Sequence, residues 1–223
     1  MYSEHNEQKI IQDFFKNRDK GLLLDVGANQ GVSGSNSLYL LEKGWHGILL
    51  EPNKQKCKEL ITNYKQKNLL EQTTIINNAL VPNFFNQNAK FYDTKKGNEI
   101  GHGVGSFNKS WVEQWVIHLN KRENTQEYSL IENIIQPYRV NEFFQTYGYN
   151  YNFISIDVEL LNLELATSIE WHKMNDLELI CIEADDNTEM STSRFQCVFD
   201  QFGYQLMQTD SSGLNLFFCR NKY

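Results

Sequence analysis

The segment LLLDVGANQGVSG, residues 22–34, joins a short apolar run to a turn with three glycines. A buried strand that enters a glycine loop and then a helix is typical of nucleotide-binding α/β proteins, because backbone amides there approach a ligand closely. The order in this loop is Asp25-x-Gly27-x-Asn29-x-Gly31, whereas dinucleotide-binding proteins have G-x-G-x-x-G. The loop therefore predicts a nucleotide-like ligand, and leaves open which one.

Short apolar runs alternate with amphipathic segments along the rest of the chain. The runs predict strands, and the segments between them predict helices. Apolar strands separated by helices indicate a mostly parallel sheet that is covered on both faces, and so an α/β fold. The last segment, GYQLMQTDSSGLNLFFCR, predicts two strands around Ser-Ser-Gly, an antiparallel hairpin. The predicted strands are 22–26, 46–51, 73–80, 153–159 and 177–186, and the predicted helices are 5–16, 34–43, 54–67 and 161–169.

Composition limits the class of protein. A chain of 223 residues with 40% hydrophobic residues suits one globular domain, residues 1–223. Its net charge of −7 disfavours nucleic acid as a partner, because a phosphate backbone requires a basic face. The four cysteines are scattered without a Cys-x-x-Cys pair, and we find neither a signal peptide nor a membrane-length apolar run. We therefore expect a cytoplasmic protein with reduced thiols and no membrane partner.

Residues 83–140 interrupt this alternation with polar and aromatic text, including four glycines from Gly97 to Gly105. A long irregular insertion in a compact domain is often a functional loop or lid, here one that covers an acceptor, but a surface excursion fits equally well. Trp111 and Trp115 lie four residues apart on a predicted helix within it. Aromatic residues at that spacing more often belong to a core than to a ligand platform.

The acidic residue Glu51 points to the ligand. It follows the second strand, 20 residues after Gly31 (51 − 31), and an acid there can bind both hydroxyls of a ribose. This fits NAD and S-adenosylmethionine alike. Asp25 would repel a pyrophosphate but suits the ammonium group of a methionine moiety, directly or through water. The loop therefore favours S-adenosylmethionine as the cofactor.

The segments DVGANQG, EPN and IDVE, with their spacing, resemble the FkbM-type S-adenosylmethionine-dependent methyltransferases over roughly residues 20–82 and 140–220. The resemblance implies a Rossmann-like methyltransferase fold and O-methylation, commonly of a sugar hydroxyl. It also implies that Glu51 binds the ribose and that other positions bind the rest of the cofactor: Gly27, Asn29 and Gly31 the methionine part, Asn78 and Ala79 the adenine. Leu160 departs from the family, which usually has glycine after I-D-V-E, and this departure weakens the transfer of catalytic roles.

Carboxylates follow two later strands. Asp157 and Glu159 end the strand 153–159, and strand alternation predicts that they point to one side. Asp185 and Asp186 follow the next strand, and converging carboxylates favour a hard cation. The sequence thus predicts Mg²⁺ on Asp157, Asp185 and Asp186, with Asp157 and Glu159 as catalytic residues and Glu159 as the general base. The last two aspartates could instead begin a helix.

Together these features predict an enzyme that transfers the methyl group of S-adenosylmethionine to a hydroxyl of a small acceptor, most plausibly a sugar or glycoconjugate. Two alternatives stay open. One is an RNA or cap-ribose methyltransferase, against which the acidic charge counts. The other is a catalytically silent cofactor-binding module that serves a partner protein, which Leu160 keeps in play. The acceptor and the oligomeric state are not specified by the sequence.

Overall fold

The computed structural model describes residues 2–97, 99–100, 104–184 and 186–220. Most of the secondary structure follows the alternation expected from the sequence. The strands, numbered in chain order, are β1 (Leu22–Val26), β2 (His46–Leu50), β3 (Thr73–Ile76), β4 (Leu80–Val81), β5 (Ala89–Lys96), β6 (Glu99–Ile100), β7 (Tyr128–Ile135), β8 (Tyr138–Arg139), β9 (Phe153–Ile156), β10 (Leu179–Glu183), β11 (Tyr204–Thr209) and β12 (Asn215–Arg220).

Seven helices and two short 3₁₀ turns connect these strands in the described part of the chain. The 3₁₀ turns cover Leu70–Gln72 and Trp171–Lys173. The helices are α1 (Glu7–Phe14), α2 (Leu38–Glu42), α3 (Lys54–Gln66), α4 (Lys109–Arg122), α5 (Val140–Tyr147), α6 (Asn162–Ser168) and α7 (Glu189–Asp200).

A seven-stranded sheet in the order β11-β12-β10-β9-β1-β2-β3 forms the centre of the molecule. The five strands from β10 to β3 pair in parallel, and β12 pairs antiparallel with both β10 and β11. This confirms the α/β class, the mostly parallel sheet and the antiparallel C-terminal hairpin. Strand order reverses between β1 and β9, and open α/β sheets bind ligands beyond the strand ends at such a point.

Both faces of the sheet are buried, as continuous apolar strands predict. On one face, Leu24 and Val26 of β1 join a core with α5, α6 and α7. On the other face, Leu23 joins a second core with α1, α2 and α3. The alternation of β1 residues between two cores fixes the strand in one register, because a shift by one residue would exchange the two faces.

The insertion is regular structure rather than the irregular loop that the sequence suggested. Strands β5, β6 and β7 form a separate antiparallel sheet, and the 14-residue helix α4 packs on it. The sequence of the insertion is polar because a small two-layer unit leaves much of its surface in water. In β7, for example, Glu132, Asn133 and Ile134 are exposed.

Most predicted elements are shorter in the structure, and three of the differences affect the site. Helix α2 begins at Leu38 rather than at 34, because the Ser35 hydroxyl accepts from the amides of Ser37 and Leu38 and holds a turn before it. Strand β3 ends at Ile76, and the chain then turns into β4 of a different, two-stranded sheet with β8. Strand β9 ends at Ile156, so Asp157 and Glu159 lie beyond it.

In the described ranges, no helix combines the length and the apolar character needed to cross a lipid bilayer. Among the described residues, the four cysteines form no disulfide bond.

We predict that Gly27→Ala destabilises the fold far more than Gly148→Ala. A Cβ at Gly27 would lie 1.8 Å from the Asp157 carbonyl oxygen, whereas a Cβ at Gly148 meets nothing within 4 Å. Both glycines have positive φ values, 93° and 80°, so each substitution also carries a backbone cost of about 1–3 kcal/mol. Urea unfolding should show an extra loss of about 1–3 kcal/mol at Gly27 from the steric clash. Equal losses would contradict the close approach.

Candidate functional site

The ends of four parallel strands are aligned in register at the point where strand order reverses. Val26 pairs with Leu50 of β2 and with Ile156 of β9, and Ile156 pairs with Ile182 of β10. The residues that follow these four positions therefore form a row along one edge of the sheet: Glu51, Gly27, Asp157 and Glu183. Three of the four are acidic.

Gly27 permits this row to close. Its amide donates to the Leu50 carbonyl and the Asp157 amide donates to the Val26 carbonyl, at 3.0 and 2.9 Å. The two chains approach so closely that a side chain at Gly27 would collide with the backbone of Asp157. Gly27 also lines the cavity described below, but this backbone contact alone already requires glycine at position 27.

Asn29 and Gly31 complete the turn in different ways. Asn29 has a left-handed φ of 49°, which asparagine tolerates better than most residues, and it lines the cavity. Gly31 does not line the cavity. A Cβ there would strike Leu60 and Tyr64 of α3, so this glycine is required by the packing of a helix on the loop.

Glu51 is buried at the end of β2 and lines the cavity. Its two carboxylate oxygens accept from the backbone amides of Asn29 (2.8 Å) and Asn53 (2.7 Å). Each oxygen keeps a second lone pair, so the group can still accept from ligand hydroxyls. Burial raises the pKa of Glu51 to about 7, with the two amide hydrogen bonds acting against the rise.

Asp25 is the second-to-last residue of β1, just before the loop, and also lines the cavity. It is 6% exposed and accepts a 2.5 Å hydrogen bond from the Ser37 hydroxyl. Burial raises its pKa to about 6, against the effect of Ser37.

Asn78 and Ala79 line the cavity next to Glu51. The Asn78 side chain accepts from the Ala79 amide and donates to the Gln136 carbonyl, which fixes the turn after β3.

These residues enclose a cavity of about 610 Å³, a size typical of small-ligand sites. Its lining is strongly acidic. Among the described residues, one arginine (Arg122) and one histidine (His5) oppose eight carboxylates, which are Glu4, Glu7, Asp25, Glu51, Asp93, Asp157, Glu159 and Glu183.

Three of the carboxylates form a cluster beyond β9 and β10. Asp157, which is exposed to the cavity, hydrogen-bonds to Glu183. Burial and the charge of Asp157 raise the pKa of Glu183 to about 10 and that of Glu159 to about 8. The enclosing protein also raises the pKa of Asp157, although its side chain is open to the cavity. Like charges in one enclosed space cannot all ionise, so Glu183 holds a proton at neutral pH and donates it toward Asp157.

Asp157 and Glu159 both line the cavity, but the expectation that they share one side of a strand is wrong. Alternation along a strand does not apply, because β9 ends before both residues. Instead Glu159 and Leu160 adopt left-handed φ values of 50° and 67°, which fold the chain back so that Glu159 faces the cavity. Each left-handed non-glycine residue costs about 1–2 kcal/mol, which explains why glycine would suit position 160.

The predicted magnesium site finds no support in the described residues. They contain no group of three or more histidine, cysteine, aspartate or glutamate side chains that could hold a metal ion. Asp186 is exposed and accepts from the amide and the hydroxyl of Thr188, so it caps the turn before α7. Asp185 lies outside the described residues. Glu183, to which the sequence analysis gave no role, lies next to Asp157 instead.

The insertion supplies the opposite wall of the cavity. Asp93 of β5 is buried and hydrogen-bonds to the side chain of Asn53, which follows Glu51. Further along, the insertion contributes aromatic and aliphatic side chains to the lining, among them Phe91, Val104, Phe107, Trp115 and Leu119. Trp115 therefore lines the cavity. Its ring also packs against the ring of Trp111, with the two centroids 5.8 Å apart.

No known protein-family profile matches the chain, and no curated protein matches it in sequence. The matches are to solved structures, at low sequence identity. A tRNA methyltransferase of Streptococcus pneumoniae aligns with a TM-score of 0.52 and 11% identity over 100% of this chain and 72% of its own. The methyltransferase domain of METTL16 has a TM-score of 0.52 and 11% identity, covering 98% and 67%.

Magnesium protoporphyrin IX methyltransferase from Synechocystis PCC 6803, whose crystal structure contains bound S-adenosylmethionine, aligns at a TM-score of 0.50 and 9% identity over 97% of this chain and 78% of its own. The chain thus has the Rossmann-like fold of S-adenosylmethionine-dependent methyltransferases. These structural matches show the fold and do not test membership of the FkbM family.

The acidic cavity predicts that stability falls as pH rises. Asp25, Glu51, Glu159 and Glu183 have folded pKa values of about 6, 7, 8 and 10, above the ordinary 3.8–4.5. The folded state therefore binds more protons than the unfolded state above pH 4.5, and this stabilisation is lost as pH rises through the folded values. We expect the free energy of unfolding to decrease by about 2 kcal/mol or more from pH 5.5 to pH 8.5.

The matched variants are Glu183→Gln and Glu71→Gln, of which the second replaces an exposed acid. The Glu183 variant carries no charge to bury, so its stability should fall less over the same pH range. Urea unfolding at both pH values tests this. A wild-type chain that is more stable at pH 8.5, or a Glu183→Gln slope equal to that of Glu71→Gln, would contradict the assignment.

Proposed function

We propose that this protein is an S-adenosylmethionine-dependent methyltransferase that methylates a hydroxyl of a small, uncharged acceptor. One observation carries the proposal: three carboxylates with raised pKa values converge in a cavity at the point of the sheet where ligands of this fold class bind. The fold shared with methyltransferase structures supports the same reaction class.

The residues of the cavity fit S-adenosylmethionine. Its net positive charge suits the acidic lining, and the enclosed volume of about 610 Å³ can hold it. Glu51 has free lone pairs for two ribose hydroxyls, and Asn78 and Ala79 lie beside it for the adenine. The backbone of Gly27 and Asn29 would hold the methionine part, and the Asp25 carboxylate would bind its ammonium group.

When bound, the cofactor supplies an electrophilic methyl group, and the protein's task is to hold an acceptor oxygen in line and take its proton. The acceptor oxygen would form the new O–CH₃ bond as the C–S bond of the cofactor breaks, with the electron pair left on sulfur. We assign the proton to the Glu159 carboxylate. Burial and the neighbouring Asp157 raise the pKa of Glu159 to about 8, which makes it a stronger base than an exposed glutamate.

The charge of the cavity favours a small uncharged acceptor over RNA. A phosphate group that approached eight carboxylates and one arginine would be repelled, and nucleic-acid sites have the opposite charge. A sugar ring suits carboxylates together with aromatic side chains such as Phe107 and Trp115. O-methylation of a sugar also agrees with the motifs shared with FkbM-type proteins. A screen of methyl transfer from labelled cofactor to sugars, sugar phosphates and RNA tests the proposal.

The silent-module alternative predicts cofactor binding without turnover. The Glu159 carboxylate in the cavity speaks against it, since binding of the cofactor alone requires no general base. Binding of S-adenosylhomocysteine with no transfer to any acceptor in the screen would favour the module.

We expect Glu51→Ala to weaken binding of S-adenosylhomocysteine by about 1–3 kcal/mol, because two ribose hydroxyls and two backbone amides lose their acceptor. Isothermal titration calorimetry measures it. Glu71→Ala, on the exposed surface, should bind as wild type does. If the wild-type chain gives heat with NAD and none with S-adenosylhomocysteine, the cofactor assignment is wrong.

We expect Glu159→Gln to lower the rate of methyl transfer by about 10²–10⁴-fold, the range for loss of a general base, with little change in cofactor affinity. The wild-type rate should rise with pH toward the Glu159 pKa of about 8, because only the ionised carboxylate can accept the proton. A near-normal Glu159→Gln enzyme would remove the base.

The predicted Mg²⁺ ligands Asp157, Asp185 and Asp186 are tested separately. Loss of turnover in EDTA, restored by Mg²⁺ while cofactor binding persists, would support a metal. Full activity in excess EDTA would remove it.

A further inference from the structure

The insertion contacts the Glu159 segment directly through one serine. The Ser106 hydroxyl donates to the Glu159 carbonyl oxygen at 3.1 Å and accepts from the Asn108 amide at 3.1 Å. Ser106 is 1% exposed. Its own backbone amide and carbonyl both pair with Tyr92 of β5 at 2.9 Å, in an isolated antiparallel bridge. The hydroxyl is therefore held from both sides by the sheet of the insertion.

The segment that Ser106 contacts is the one that most needs support. Glu159 and Leu160 are consecutive non-glycine residues with left-handed φ values, which L-residues rarely adopt. Strain of this kind persists only where the surrounding structure fixes it. One further anchor is visible: the Asn162 side chain accepts from the Val158 amide at 3.0 Å. The two hydrogen bonds hold the segment on either side of the Glu159 side chain.

We propose that Ser106 is a positioning residue for methyl transfer, which keeps the Glu159 carboxylate aimed into the cavity by holding its carbonyl in the left-handed turn. The proposal rests on the proposed function, in which Glu159 is the base. The proposal makes the insertion part of the catalytic geometry. The hydroxyl that orients Glu159 belongs to Ser106, whose backbone pairs with Tyr92 in the sheet of the insertion.

The mechanism requires no contact between Ser106 and the reacting atoms. Without the hydroxyl, the Leu160 backbone can relax toward negative φ and carry Glu159 away from the acceptor, and misplacement by about 1 Å can cost about 10²-fold in rate. The groups that act electrostatically on Glu159, Asp157 and Glu4, stay in place, as does Glu183, on which Glu159 acts in turn.

The test compares Ser106→Ala with Ser191→Ala. Ser191 is also buried, at 4% exposed, and its hydroxyl has no hydrogen-bond partner within the described residues, so its removal controls for loss of a buried hydroxyl. We expect Ser106→Ala to lower kcat by about 10–100-fold with acceptor KM and S-adenosylhomocysteine Kd within about twofold of wild type. Ser191→Ala should keep the wild-type kcat.

A double-mutant cycle with Leu160→Gly separates positioning from general structural damage. Glycine adopts the left-handed conformation without strain, so the chain has less tendency to relax when the hydroxyl is absent. We expect the kcat loss of Ser106→Ala to be smaller in the Leu160→Gly background. Additive losses, or a Ser106→Ala enzyme with normal kcat, would overturn the proposal. If Ser106→Ala does not fold, Ser106→Cys, which keeps the volume with a weak donor, replaces it in the cycle.

A readout without turnover distinguishes this proposal from the proposed function. Carbon-13 NMR of carboxyl-labelled glutamate follows the titration of Glu159, assigned by its loss in Glu159→Gln. We expect Ser106→Ala to shift the Glu159 titration midpoint and chemical shift, and Ser191→Ala to leave both unchanged. If wild-type protein transfers no methyl group yet Ser106→Ala shifts this signal, the proposed function fails and the positioning stands. If neither kcat nor the signal changes, the positioning is wrong.

Discussion

The close approach of Gly27 to the Asp157 backbone is the contact on which the site depends. It lets β1 and β9 end side by side at the point where strand order reverses, with the Asp157 amide bonded to the Val26 carbonyl. The pairing of β1 with β2 and of β9 with β10 then places Glu51 and Glu183 on the two outer sides of that contact. A larger residue at position 27 would separate the strands and scatter the carboxylates.

Burial of several carboxylates in one cavity opposes folding, so their charge must be balanced by protons or by a ligand. Without a ligand, protons do this, and Glu183 holds one at neutral pH because its pKa lies near 10. A ligand with net positive charge would replace protons, so its binding should release them and strengthen as pH rises. The arrangement that lowers the stability of the empty protein is thus the one that favours a sulfonium cofactor.

The sheet and the glycine loop could be predicted from the sequence because their signals are local: apolar runs fix the strands, and the spacing of Gly31 and Glu51 marks the ligand end. The acidic cluster could be predicted only in part. Glu183 was missed because strand ends are uncertain by a few residues, and the run Asp185-Asp186 attracted the assignment; register with Ile156 and Ile182 reveals it. The left-handed turn at Leu160 and the contact from Ser106 join distant segments, and no periodic pattern encodes either.

Any selection among acceptors would fall largely to residues outside the segments that carry the motifs. The sheet is common to structures described as acting on a tRNA and on magnesium protoporphyrin IX, so the sheet alone does not select an acceptor. The insertion lines the cavity opposite the cofactor loop, hydrogen-bonds through Asp93 to Asn53 beside Glu51, and contacts Glu159 through Ser106. A unit that is bonded to the segments after β2 and after β9 can change the acceptor wall only while it keeps these two contacts. Variation in such proteins should therefore concentrate on insertion residues such as Trp115, which line the cavity without bonding to the row.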